Sequence, residues 1–258
     1  MSEDPAPAGG DRPYEDREWL AEHLRDERRE ADMLGEIREA LFGMQDGIVS
    51  TLAVVSTVSG ATNDRFIILV AGIASALAGV FSMGAGEYLS SKSQREIFDA
   101  QVEKERQEVE ERPGESQAEV AYMLEQEGLS EPAAKRVVAE LAREPNVLLR
   151  TMVEKELGIS IEGGRGALHG AVVMGASFGL AATIPVIPYL VLPVAAAVPA
   201  SVALSAAVLF AIGVVKSRWT RRDPIRAGLE VVLLAAFAGI AGFFFGSLLP
   251  SIFGVNAP

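Results

Sequence analysis

Cysteine is absent from this 258-residue chain, which excludes disulfides and thiolate metal sites of the zinc or iron–sulfur kind. Only two histidines occur, His23 and His169. Neither has a second histidine at ligand spacing, and both read as ordinary surface or interfacial residues. Any metal must therefore be held by oxygen or thioether. Basic charge is also scarce: 23 Lys and Arg against 35 Asp and Glu give a net charge of -12, which disfavours nucleic acid as a partner because phosphates need a basic face. No nucleophile–base motif, Gly-rich phosphate loop or zincin pattern is present, so nothing supports an enzyme. Residues 1–38 lack the short apolar run and small-residue cleavage site of a signal peptide. Insertion into a membrane is then expected to be driven by the first span itself.

What is there is strongly segregated. Nearly half of the residues, 49%, are hydrophobic, and they concentrate in two blocks, 41–89 and 167–254, with most of the charge outside. A single globular core mixes the two classes, so the pattern predicts an all-α polytopic membrane protein with soluble segments. Five apolar stretches are expected to span: 40–61, 66–89, 166–190, 194–215 and 227–249. Each is about 20 residues, enough for about 30 Å of hydrocarbon. Between the fourth and fifth lie Lys216, Arg218, Arg221, Arg222 and Arg226, which the positive-inside rule places in the cytoplasm. Parity then puts the N-terminus and the 92–165 insert in the cytoplasm and the C-terminus outside.

The expected organisation has four parts. Residues 1–38 are a disordered start followed by an amphipathic helix over 14–38, and 39–91 hold spans one and two. Residues 92–165 are a helical insert, and 166–258 hold spans three to five. Within the insert, 92–112 continues the second span as one helix and Pro113-Gly114 stops it. Further helices are expected over 116–127, from Ser130 as N-cap, and over 147–157 up to Gly158. Leu124, Val137, Val138, Leu141, Leu148 and Leu149 are the residues expected to pack them together.

Ionisable groups inside a membrane are costly and suggest function. Two readings stand for Asp46: a cap for the helix opening at Gly47, or a buried acid in a helix that starts earlier. Glu39, seven residues before it, shares its face and reads either as part of the same path or as a solvated residue at the membrane edge. Met83 and Glu87 lie four apart on the second span, a thioether and a carboxylate suited to a borderline metal, although Met also simply fills space. Glutamates crowd the insert at 103, 105, 108, 110, 111, 115 and 119. Glu105 and Glu108 share a face, as do Glu108 and Glu111. They read either as oxygen ligands for a divalent cation or as a solvated face with pairs such as Glu108–Arg112.

The run Asp46-Gly47-Ile48-Val49-Ser50, the Val58-Ser59-Gly60-Ala61 segment, and Ser82-Met83-Gly84-Ala85-Gly86-Glu87-Tyr88-Leu89-Ser90 followed by Ser93-Gln94 resemble the vacuolar iron transporter family, in particular its bacterial-type iron and manganese exporters. Glu156-Leu157-Gly158 and the Pro185/Pro188 pair fit as well, so the resemblance covers about 37–249. It implies a five-span homodimer in the cell membrane with a cytoplasmic metal-binding domain between spans two and three. It also implies proton-coupled export of Fe²⁺, with Mn²⁺, Zn²⁺ or Co²⁺ as further ions accepted and no tightly bound cofactor. The residues matching the transport path are Asp46, Met83, Glu87 and Glu39. Those matching the metal-binding domain are Glu105, Glu108, Glu119, Met152 and Glu156. Where the family has a further glutamate this chain has Ser116, with Glu115 one helical step away, and a paired methionine is replaced by Val153. A manganese-preferring exporter and a membrane-anchored metal buffer or sensor are the competing functional readings.

Overall fold

Every regular element is helical among the described residues, 16–158 and 166–253, of this computed structural model. The expected disordered segment 1–13 and the end of the insert lie outside them. Helix α1 runs Arg17–Ala61. It starts where Asp16 Oδ1 accepts the Glu18 N–H at 2.8 Å and ends at extended Thr62, whose N–H donates to Val58 O. The amphipathic segment expected as a separate helix is thus continuous with the first span, since no proline interrupts it. Asp46 lies deep inside α1 and caps nothing. Asp64 opens α2 (Arg65–Glu111) by accepting the N–H groups of Phe66 and Ile67.

Pro113 ends α2 but also begins α3 (Pro113–Gln126), standing at its first turn where no N–H is needed. Arg112 is forced out of helical geometry ahead of it, at φ -131° and ψ 54°. Next come α4 (Glu131–Leu141), with Ser130 as its N-cap residue but no side-chain capping bond, and α5 (Pro145–Met152). A π-helical turn, Val153–Leu157, continues α5 and closes at left-handed Gly158, φ 64°.

The third apolar stretch is not one helix. It forms α6 (Ala167–Ala182), a turn, and the short α7 (Ile187–Val191). Pro185 has no N–H to continue the ladder and biases Ile184 away from helix. Backbone groups freed by such a break need partners in an apolar medium, and side chains supply them. Ser201 Oγ donates to Pro185 O at 2.6 Å, and Thr183 Oγ1 to Leu180 O at 2.7 Å. The buried hydroxyls of Tyr189 and Ser59 meet at 3.2 Å, tying α7 to α1. Helices α8 (Val194–Thr220) and α9 (Pro224–Phe253) follow. Among the described residues four helices, α1, α2, α8 and α9, are long and apolar enough to cross a membrane, and α6 is a shorter apolar helix.

The chain divides into two compact units, Met1–Ala85 with Gly170–Pro258, and Gly86–His169. In the first, Ile48 and Leu52 of α1 pack with Ala181, Leu209 and Val231, while Val55 packs with Ile68, Val186 and Tyr189. Small residues let these helices approach closely, as membrane packing requires. A Cβ on Gly246 of α9 would run into the Thr57 carbonyl of α1, and one on Gly47 into the Phe178 backbone of α6. Gly246→Leu should therefore lower thermal stability by about 1–3 kcal/mol or prevent folding. Gly35→Ala, with open space around it, should gain up to about 1 kcal/mol from helix propensity. A thermal melt of the purified protein that ranks Gly246→Leu above Gly35→Ala would contradict this packing.

In the second unit, Val109, Val120, Leu124, Ala134, Val138, Leu148, Leu149 and Met152 form the core. Leu141 packs against its edge, but Val137 is 41% exposed. Adjacent helical positions point 100° apart, so Val137 and Val138 cannot both face inward.

Candidate metal centre

Glu105 and Glu108 project from the last turns of α2, Glu115 and Glu119 from the start of α3, and Glu156 from the π-helical turn. The sharp reversal at Arg112–Pro113 brings the first two pairs face to face. Oxygens of Glu108, Glu115 and Glu119 all lie within 4.8 Å of one another. Glu105 is only 1% exposed; its Oε1 meets Lys104 Nζ at 3.4 Å, while its Oε2 has no partner. The Oε2 of Glu119 is likewise buried without a partner. Leaving a buried carboxylate oxygen unpaired is expensive, and a hard or borderline divalent cation is the partner such oxygens suit.

Electrostatics link the five acids. Burial, followed by the charges of Glu108, Glu115 and Glu105, raises the Glu119 carboxyl above the ordinary range, with Arg112 opposing. Glu156 is raised by burial and then by Glu105 and Glu119, with Lys104 opposing. The charges of Glu105 and Glu108 thus make both Glu119 and Glu156 harder to ionise, a charge excess that protons or a cation relieve. Arg112 partly offsets it by bridging Glu115 at 2.9 Å and Glu108 at 3.6 Å.

Of the insert glutamates, Glu103 instead turns outward to Arg106 at 3.4 Å, and Glu110 and Glu111 are exposed. Ser116 is fully buried, with its hydroxyl directed at the Arg112 carbonyl 3.4 Å away. Glu115 stands beside it on the exposed side. Met152 is fully buried in the apolar core. The role of Arg112 toward α3 was missed from sequence; a cation three residues before Glu115 was the available signal.

The acids of the other set are arranged differently. Asp46 is half-buried in mid-α1, between Gly43 and Gly47, which pack on α6. Its own carbonyl accepts Ser50 Oγ at 2.6 Å, but its carboxylate has no hydrogen bond or ion pair among the described residues. Glu39 is half-buried, and a Cβ on Gly170 would lie 3.0 Å from its Oε2. Its carboxylate therefore covers the first turn of α6, where the helix dipole favours negative charge. Met83 is half-buried on α2, and Glu87 on the same helix accepts Ser91 Oγ at 2.7 Å. Among the described residues, Asp46, Glu39 and Glu87 join no close group of three acids.

A sequence profile described as the VIT family matches residues 37–247. Vacuolar iron transporter 1 of Eucalyptus grandis is 34% identical over 225 residues, covering 86% of this chain and 90% of its own. Vacuolar iron transporter 1 of Arabidopsis thaliana is 34% identical over 208 residues, 80% and 83% of the two chains. The vacuolar iron transporter of Plasmodium falciparum is 30% identical, covering 83% and 82%.

Proposed function

This chain belongs to the VIT family, and we propose from that membership that it exports Fe²⁺ from the cytosol in exchange for protons. Transport of metal across a membrane by a multi-pass protein, without enzymatic chemistry, is what its relatives' names and its long apolar helices support. The observation that carries the metal assignment is the group Glu105, Glu108, Glu115, Glu119 and Glu156, which contains two buried, unpartnered carboxylate oxygens. In this reading the group collects cytosolic metal, with Met152 nearby in sequence as a softer ligand. Asp46, with Met83, Glu87 and Glu39 along the path, passes the metal across the membrane. A carboxylate suits the exchange because its proton and metal forms compete directly.

The α6–α7 segment is read as a fifth crossing, although α6 alone, at 16 residues, is about 24 Å long. With five crossings and the basic α8–α9 connection taken as cytoplasmic, this reading has the N-terminus and the Gly86–His169 unit in the cytoplasm of a cell-membrane protein, and the C-terminus outside. A second copy of the chain completes the path around Asp46. Oxygen and thioether ligands separate iron from manganese poorly, so Mn²⁺ is the rival cargo.

Proteoliposomes loaded with a metal-sensitive dye decide between these. Fe²⁺ uptake that requires an opposing pH gradient is expected. Faster flux with Mn²⁺ reassigns the cargo, and binding without flux of either ion leaves a membrane-anchored metal buffer.

A further inference from the structure

The connection between α8 and α9 gathers positive charge in a protein whose net charge is -12. Lys216, Arg218, Arg221, Arg222 and Arg226 are all exposed there. Lys216, Arg218, Arg222 and Arg226 make no ion pair among the described residues. Asp223, the one acid between them, caps α9, its Oδ1 accepting the Arg226 N–H at 2.8 Å, and its single charge leaves the rim positive. The chain reverses at Arg221, which adopts left-handed geometry at φ 51°. At the base of that reversal the helices touch, since a Cβ on Gly213 would lie 2.6 Å from the Ala227 carbonyl. Cations from the end of α8 and the start of α9 therefore share one rim.

Large apolar side chains interleave with them. Val215 is 42% exposed, Trp219 45% and Ile225 61%. An exposed Trp beside cations, where two apolar helices end, is the composition of a headgroup boundary. A dissolved anion uses only half of this surface. A phospholipid uses both, its phosphate meeting the cations and its glycerol and upper acyl carbons meeting Trp219 and Ile225.

We propose that this rim is a binding site for the phosphate headgroups of anionic phospholipids. The proposal needs only that α8 and α9 cross a membrane, and it is independent of what the protein transports. Orienting the chain during insertion is a separate use of the same charges, and it needs neither the exposed Trp219 nor a persistent contact in the folded protein.

The full-length protein, purified and exchanged into mixed micelles of phosphatidylcholine with or without phosphatidylglycerol, provides the test. Native mass spectrometry reads the retained lipids. Phosphatidylglycerol should be retained in preference to phosphatidylcholine, and retention should weaken as salt rises. Removing one cation should weaken it about 5-fold, and Arg222→Gln with Arg226→Gln about 25-fold. Lys216, Arg218 and Arg221 remain in that variant to hold the orientation, and metal flux is expected to be unchanged in matched liposomes. If the pair does not fold, Lys216→Gln alone must still show the 5-fold loss. Equal retention of the two lipids, or undiminished retention in the variants, overturns the proposal. So does displacement of phosphatidylglycerol by inorganic phosphate at equal concentration, which marks a soluble-anion site.

Discussion

Asp46→Ala protein, reconstituted with a pH gradient, is expected to carry Fe²⁺ about 100-fold more slowly than the parent, as large a loss as removing an outer partner of a metal ligand produces. The expectation comes from the position of the residue. Asp46 sits well inside α1 with its carboxylate unpaired among the described residues, in a helix apolar enough to span a membrane. An acid there is costly to keep and serves no packing purpose. Asp46→Asn should fail equally, because the amide keeps the shape but can exchange neither proton nor cation. Equilibrium metal binding should stay near the parent value in both variants, since the glutamates of the other unit are untouched. Parent-like flux in Asp46→Asn would remove Asp46 from the path and leave the acid cluster assignment standing.

The second large effect concerns the acid cluster, where stability and metal binding should move in opposite directions. Glu119 and Glu156 have raised pKa values in the folded protein, so the folded state holds protons that the unfolded state has released. Stability is then fullest below the unfolded value near 4.5 and is lost as pH rises through the raised folded values. As pH falls from neutral toward 4.5, acidification should therefore slow amide exchange in α3 and the π-helical turn, after correction for intrinsic rates. Metal should do the same at neutral pH: a ligand at 100 times its Kd stabilises by about 2.7 kcal/mol, close to 100-fold in local opening. Glu119→Gln should protect α3 in the absence of metal and abolish most of the protection that metal confers. Metal protection in Glu119→Gln equal to the parent's would show that Glu119 is not a ligand.

Part of the cluster was legible in advance. Glu105 and Glu108 share a helix face by spacing, and Pro113-Gly114 is expected to stop the helix after them, though not to fold the next helix back onto it. Which glutamates turn inward was not legible. Glu103, Glu105 and Glu108 look alike in a charged run, yet Glu105 is buried while Glu103 pairs with Arg106 in solvent. The difference lies in which face α3 and α5 cover, and no local spacing records that. Val137 shows the same limit within the apolar set.

The segregation of apolar blocks from charge, the unbroken run of α2 beyond its apolar half, and the family of the chain are all readable without a tertiary structure. Each follows from composition and local pattern, because hydrocarbon accepts only apolar helices of sufficient length and proline interrupts them wherever it falls. Tertiary structure decided what depends on neighbours. It joined the N-terminal helix to the first span and moved Asp46 from a possible cap to a helix interior. It also supplied Ser201 to the break at Pro185, and it set Glu119 within reach of Glu108 and Glu115. Hydropathy averages over a window and has no direction. Burial of a carboxylate oxygen does have a direction, and it is fixed only when a second helix closes over it.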